Sequence, residues 1–75
     1  MSRRYAVEQR LRLIDFLLAN YGSVGRPQLM DYFGISTPQA SDDLSEYRKL
    51  APNNMVYDAT LKAYVAGPEF KRVYP

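Results

Sequence analysis

From Val7 to Tyr21 the apolar residues Val7, Leu11, Ile14, Leu18 and Tyr21 recur at spacings of four and three, with Leu17 beside them. That period predicts an amphipathic helix over residues 6–21. Arg10, Arg12, Asp15 and Asn20 fall mainly off the stripe, and Arg10 and Arg12 read as a solvated face. Phe16 is off its centre and is expected to widen the buried side. Gly22 follows the last apolar position, where a left-handed helix stop favours glycine. Ser23-Val24-Gly25 is too short for more than a minimal strand.

The next run is R-P-Q-L-M-D-Y-F-G. Pro27 suits the first helical position, where its missing N–H is not needed. Leu29, Met30 and Phe33 supply the apolar side, and Gly34 stops the helix. Ile35 is expected to plug the core between this helix and the next. The following helix has two possible starts. Thr37 caps it with Pro38 first inside, or Ser36 caps it with Gln39 closing a capping box. Its apolar positions are Ala40, Leu44 and Tyr47, the pattern runs to Leu50, and Pro52 prevents continuation.

Beyond this point the period changes. Asn53-Asn54 reads as a turn. M-V-Y and K-A-Y-V are short and rich in β-formers, and D-A-T-L between them suits a hairpin connection. The tail A-G-P-E-F-K-R-V-Y-P has turn signals and no periodicity. Residues 1–66 therefore read as one domain and residues 67–75 as a linker toward a downstream domain. The element order is helix, short strand, helix, tight turn, helix, strand, hairpin loop, strand. It predicts a mainly α fold with a small β-hairpin wing, a winged helix-turn-helix, whose helix-turn-helix spans Pro27 to Leu50.

Composition removes other classes. The chain has 75 residues, enough for one small domain. It holds no cysteine and no histidine, which excludes disulfides and argues against a zinc site or any other metal or cofactor. Without His or Cys, and without a glycine-rich phosphate loop, the inventory for nucleophilic or acid–base catalysis is missing, so an enzyme is not expected. Asp42, Asp43 and Glu46 form a carboxylate cluster, but on one exposed helix flank rather than in a cleft. No apolar run approaches the roughly 20 residues of a membrane span, and the arginines near the N-terminus precede no apolar signal segment. The cytoplasm is the expected location, with no membrane partner.

The formal net charge is only +2, so distribution matters more than total. Arg3, Arg4, Arg10 and Arg12 cluster at the start, and Arg48 and Lys49 close the third helix. That helix carries a small-polar and basic flank and an acidic flank. A helix entering the DNA major groove needs the first kind of surface: early residues small enough for close approach, with hydroxyls and amides for phosphates or base edges. Thr37, Gln39, Ser41, Ser45 and Arg48 are the expected contacts. Arg26 and Gln28 are placed to meet phosphates from the preceding helix, Thr60 and Lys62 from the tip of the wing, and Arg3-Arg4 would add charge. Each has a plainer role beside this one. Ser36 and Thr37 cap, Gln39 completes the box, and Asp42 and Asp43 favour the helix dipole. Arg48 and Lys49 suit a helix C-terminus, and Tyr32, Tyr57 and Tyr64 read as half-buried packing. It is the arrangement that favours double-stranded DNA as partner. A winged helix that docks a protein partner instead is the alternative from another class.

Three stretches carry a resemblance: R-L-R-L-I-D-F; G-R-P-Q-L-M-D-Y-F-G-I-S-T-P-Q-A-S-D-D-L; and Y-R-K-L-A-P-N-N-M-V-Y-D with K-A-Y-V-A-G-P-E-F. They resemble the N-terminal domain of the WYL-domain transcriptional repressors of bacterial phage-defence islands, the BrxR/CapW-like proteins. The resemblance covers roughly Arg10 to Phe70. It implies a winged helix that binds inverted repeats in promoters, with a recognition helix at Thr37 to Leu50 and a wing at Tyr57 to Tyr64. It also implies a following ligand-sensing WYL domain and a dimer-forming C-terminal region, and so a homodimer for the full-length protein. The sequence departs from that pattern in carrying no WYL domain after Gly67.

Overall fold

The computed structural model describes residues 2–75, with side chains from Tyr5 onward. The Arg3 and Arg4 side chains lie outside the described residues. Three helices and three short strands follow in order: α1 (Ser2–Tyr21), β1 (Ser23–Val24), α2 (Arg26–Phe33), α3 (Thr37–Leu50), β2 (Met55–Asp58) and β3 (Ala63–Ala66). The strands form one antiparallel sheet in the order β1-β3-β2. Tyr57 pairs with Tyr64 across the hairpin, and Val24 pairs with the far edge of the same Tyr64. A two-residue β1 is stable because β3 already stands paired with β2.

The core is built from the predicted stripes. Leu11, Ile14 and Leu18 of α1 meet Leu29 of α2, Ala40, Leu44 and Tyr47 of α3, and Val24 and Met55 of the sheet. Each fully buried aliphatic side chain contributes roughly 1.5–3 kcal/mol. Ile35 is half-buried against this cluster, between the helices, as expected. Gly22 (φ 80°) and Gly34 (φ 66°) are left-handed and end α1 and α2. The Gly34 N–H closes the last turn onto the Met30 carbonyl.

Both caps differ in detail from the sequence reading. Pro27 takes the second helical position of α2, behind the Gly25 cap. The Gln28 Oε1 reaches back to accept from the Gly25 N–H at 2.8 Å. At α3 the Ser36 start prevails, with its hydroxyl accepting from the Gln39 N–H. Gln39 does not return the bond. Its amide donates to Asp43 instead.

Several expectations are corrected. Phe16 is 45% exposed and Tyr21 73% exposed. Phe16 lies about 200° from Ile14 on the wheel, opposite the core. Tyr21 closes the final turn, and the two rings pack edge-on against each other at the surface. Leu50 and Tyr32 are likewise exposed. Arg10 is not solvated, because it sits only about 40° from Ile14 and turns toward α3. Asp43 is buried, not on an open acidic flank, because it faces Arg10.

The tail also has structure. Residues 67–74 come back across α1, and Phe70, Val73 and Tyr74 pack against the core. Gly67 starts this return, donating to the Asn54 carbonyl. A Cβ at Gly67 would collide with the Asn53 carbonyl oxygen.

Candidate nucleic-acid interface

The turn between α2 and α3 is three residues, Gly34 to Ser36, so the two helices cross closely and α3 presents one long side outward. With Ala40 at the centre of its buried face, Thr37, Arg48, Ser41 and Ser45 fall about 60°, 80°, 100° and 140° to one side. They form one stripe along the helix. Gln39, Asp43 and Glu46 fall on the other side, toward α1.

The stripe borders a cleft of about 200 Å³ lined by Gly25, Arg26, Ser41, Leu44, Ser45, Tyr57, Lys62, Ala63 and Tyr64. Four of the expected contact residues thus meet around one concavity: Arg26 from the start of α2, Ser41 and Ser45 from α3, and Lys62 from the wing. Arg26 Nη1 donates to the Ser41 hydroxyl at 3.4 Å, a weak bond that leaves the guanidinium free to regroup. Two cations therefore stand at the rims of a floor of hydroxyls.

The wing is shaped by one carboxylate. Asp58 Oδ1 accepts from the N–H groups of Thr60 and Leu61 and so folds the four-residue turn Ala59–Lys62. Lys62 takes a left-handed backbone (φ 56°) to bring the chain back into β3. Thr60 and Lys62 are exposed at the tip.

The remaining expected residues are placed apart from the cleft lining. Thr37 is exposed, its hydroxyl 3.5 Å from the Met30 sulfur. Arg48 is exposed in the last turn of α3. Gln28 has its oxygen committed to the α2 cap. Gln39 is turned toward Asp43 and Arg10, at a separate depression between α1 and α3.

Sequence reasoning missed two cleft residues. Tyr57 and Tyr64 face each other edge-on with centroids 5.1 Å apart, and both line the cleft. Tyr57 is 53% exposed. Their alternation in β2 and β3 was visible, but cross-strand register decides which side they share.

A polar knot under α3 was missed too. Asp15 is fully buried. Its carboxylate accepts from the Tyr47 hydroxyl, from Arg72 Nε at 2.7 Å, and from the backbone N–H groups of Val73 and Tyr74. Burial pushes this carboxyl up, but the hydrogen bonds outweigh burial and hold it below the usual carboxylate range. Burial, and then the bond to Asp15, push the Tyr47 phenol well above its ordinary value. Asn54 completes the knot, donating to the Tyr47 oxygen at 2.9 Å and pairing with both backbone groups of Lys71.

A three-helix core, a tight turn before an outward α3 and a hairpin beside it define a winged helix-turn-helix domain. The chain belongs to the family described as the BrxR transcriptional regulator winged helix-turn-helix domain, whose pattern matches residues 6–74. It is 47% identical over 72 residues to the DNA-binding transcriptional repressor CapW of Pseudomonas aeruginosa, covering 96% of this chain and 24% of that protein. It is 49% identical over 71 residues to the CapW repressor of Escherichia coli strain KTE188, covering 95% of this chain and 24% of the relative. The CapW of Stenotrophomonas maltophilia is 46% identical over 70 residues, covering 93% and 23%. The chain thus spans about a quarter of the length of these relatives.

Proposed function

We propose that this chain is the DNA-reading head of a bacterial transcriptional repressor acting in the cytoplasm. α3 enters the major groove of double-stranded DNA, and the wing reaches the neighbouring backbone. The observation that carries this is the convergence of Arg26 of α2, Ser41 and Ser45 of α3, and Lys62 of the wing on one cleft beside the outward side of α3. In the groove, Ser41 and Ser45 meet base edges or phosphates, and Arg26, Arg48 and Lys62 meet phosphates. Tyr57 adds a phenol at the wing side of the same cleft. Thr37 sits at the helix N-terminus, where free N–H groups attract a phosphate. CapW repressors are named for DNA binding, and their similarity over this segment supports the same role here.

In a longer protein of the relatives' length, two such heads in a homodimer would read the halves of an inverted repeat. A downstream ligand-sensing domain, reached through the tail, would belong to that longer protein, as would a role at a phage-defence locus.

Fluorescence anisotropy tests the reading, with a duplex of the promoter DNA upstream of its own gene and a shuffled control. Three phosphate contacts, by Arg26, Arg48 and Lys62, predict an affinity loss of about 40-fold between about 50 and 200 mM salt. Salt-insensitive binding, or none by the folded domain, would sink the reading and favour a winged helix that docks a protein.

A further inference from the structure

The tail is tied to the recognition helix, not just to the body of the domain. Asp15 and Asn54 are both buried, and each holds Tyr47 of α3 with one bond and the tail with others. Asp15 takes three of its four donor groups from the tail: the Arg72 guanidinium and the Val73 and Tyr74 N–H groups. Asn54 closes a two-bond clamp on the Lys71 backbone. Arg72 folds back to the Tyr74 carbonyl at 2.7 Å, which keeps the strap in shape. At its far end Tyr74 donates to Glu8, and Arg12 lies over the Tyr74 ring at 4.9 Å. Among the described residues, no buried side-chain nitrogen or oxygen is left without a partner.

We propose that residues 71–74 are a positioning strap that sets the pose of α3 for DNA. The reasoning is one of shared acceptors. Among the described residues, α3 is hydrogen-bonded to α1 at two places, Asp43 to Arg10 in its first half and Tyr47 to Asp15 in its second. The first is independent of the tail. The second depends on a carboxylate that the tail donors orient and charge-compensate. When the strap lifts, Asp15 loses Arg72 and both N–H donors and turns to water, and Asn54 loses Lys71. Tyr47 then loses its fixed partners. Of its two described hydrogen bonds to α1, α3 keeps the one to Arg10, and with its second half held by apolar packing alone the Ser41–Ser45 stripe no longer stays in register with Arg26 and the wing. Whatever pulls or holds the tail therefore adjusts DNA affinity without touching DNA. Asp15, Asn54 and Arg72 are the positioning residues. This inference rests on the DNA reading above.

Linkage makes the test possible in the unaltered chain. If strap docking favours DNA binding, DNA binding must favour strap docking by the same factor. Amide hydrogen exchange is measured with and without the promoter duplex at saturation. Exchange at Val73 and Tyr74 is expected to slow when DNA binds. Unchanged exchange there, with α3 contact residues responding, would overturn the strap while leaving the DNA reading intact. No binding by the wild-type chain would be a failure of the DNA reading itself.

Two variants give a second arm, compared at a temperature where circular dichroism shows both folded. Asn54→Leu cuts the clamp with no change of charge, and Arg72→Gln removes the guanidinium. Lys71→Gln is the control, since it removes a nearby charge but keeps the backbone bonds. Both strap variants are expected to lose affinity by about 5- to 150-fold, with faster exchange of α3 amides and a salt slope equal to wild type. Losses no larger than that of Lys71→Gln would mean that the clamp does not set affinity, and a shallower salt slope in Arg72→Gln would mean that Arg72 acts by its charge; either would overturn the proposal.

Discussion

Arg10 and Asp43 stand 33 positions apart in the chain and 2.6 Å apart in space. Their side chains are 13% and 2% exposed, so this is a buried ion pair joining α1 to α3. Gln39 fills one further acceptor site on the carboxylate. Such a pair adds little stability over an apolar one, but it is costly to break from one side.

Arg10→Ala is therefore expected to cost about 3–5 kcal/mol, because it strands a buried carboxylate. The double variant Arg10→Met with Asp43→Leu is expected to cost far less than the sum of the single changes. Urea denaturation of the three variants measures this. Additive losses would mean that the two side chains do not interact in solution.

Acid stability should depend on Asp15. Its folded pKa is lowered, so its stabilising contribution is fully present above the unfolded value of about 3.9 and is lost as pH falls through the lower folded value. The gap in stability between wild type and Asp15→Asn is expected to be widest near neutral pH and to shrink below about pH 4. Urea midpoints of both chains across that range check the sign. A gap that stays constant would remove Asp15 as a source of pH dependence.

Two glycines should respond differently to alanine. Gly22 needs a left-handed backbone but has open space around its Cβ position. Gly22→Ala is expected to cost about 1–2 kcal/mol of backbone strain. At Gly67 the obstacle is the Asn53 carbonyl, which is backbone and cannot rotate away. Gly67→Ala should lose about 1–3 kcal/mol and also loosen the tail. Loosening would appear as faster amide exchange at Lys71 and Val73 in this variant alone.

Leu44 tests the phase of α3. It is buried at the centre of the helix-turn-helix, so Leu44→Ala is expected to cost about 2–5 kcal/mol. For a domain of this size each kcal/mol lowers the melting temperature by about 4–8 °C. A melting temperature within a degree or two of wild type would mean that Leu44 does not face the core.

The two sides of α3 should separate in DNA binding. Ser41→Glu puts a carboxylate beside Arg26 in the cleft and is expected to abolish binding while the circular dichroism stays helical. Gln39→Ala changes the side facing Asp43 and Arg10 and is expected to leave affinity near wild type. Anisotropy titrations decide between them. Equal effects would mean that α3 meets DNA with its N-terminal end rather than along its Ser41–Ser45 stripe.

The element order, the Gly34 stop, the hairpin and the buried stripe of α3 were all legible in the sequence. They rest on local rules: helical period, left-handed glycine, proline in the first turn and β-branched or aromatic runs. The choice between Ser36 and Thr37 as cap was open, because both hydroxyls satisfy the same rule and only the backbone path selects one. Burial of polar residues was not legible. Asp15, Asp43 and Asn54 read as surface or turn, because each owes its burial to partners 32 or more, 4 and 33, or 7 and 17 positions away. A period marks where apolar side chains point, and it is silent on which remote donor will satisfy a carboxylate. The cleft has the same character: the residue types of Arg26, Ser41 and Lys62 could be nominated one by one, but only the crossing of α2 and α3 and the register of the hairpin bring them to one place. Sequence alone determined which elements form and which of their faces are apolar, because those follow from local sterics and periodicity. Tertiary structure decided which polar groups are buried together and which surface is shared, because hydrogen bonds and charges are satisfied across the chain rather than along it.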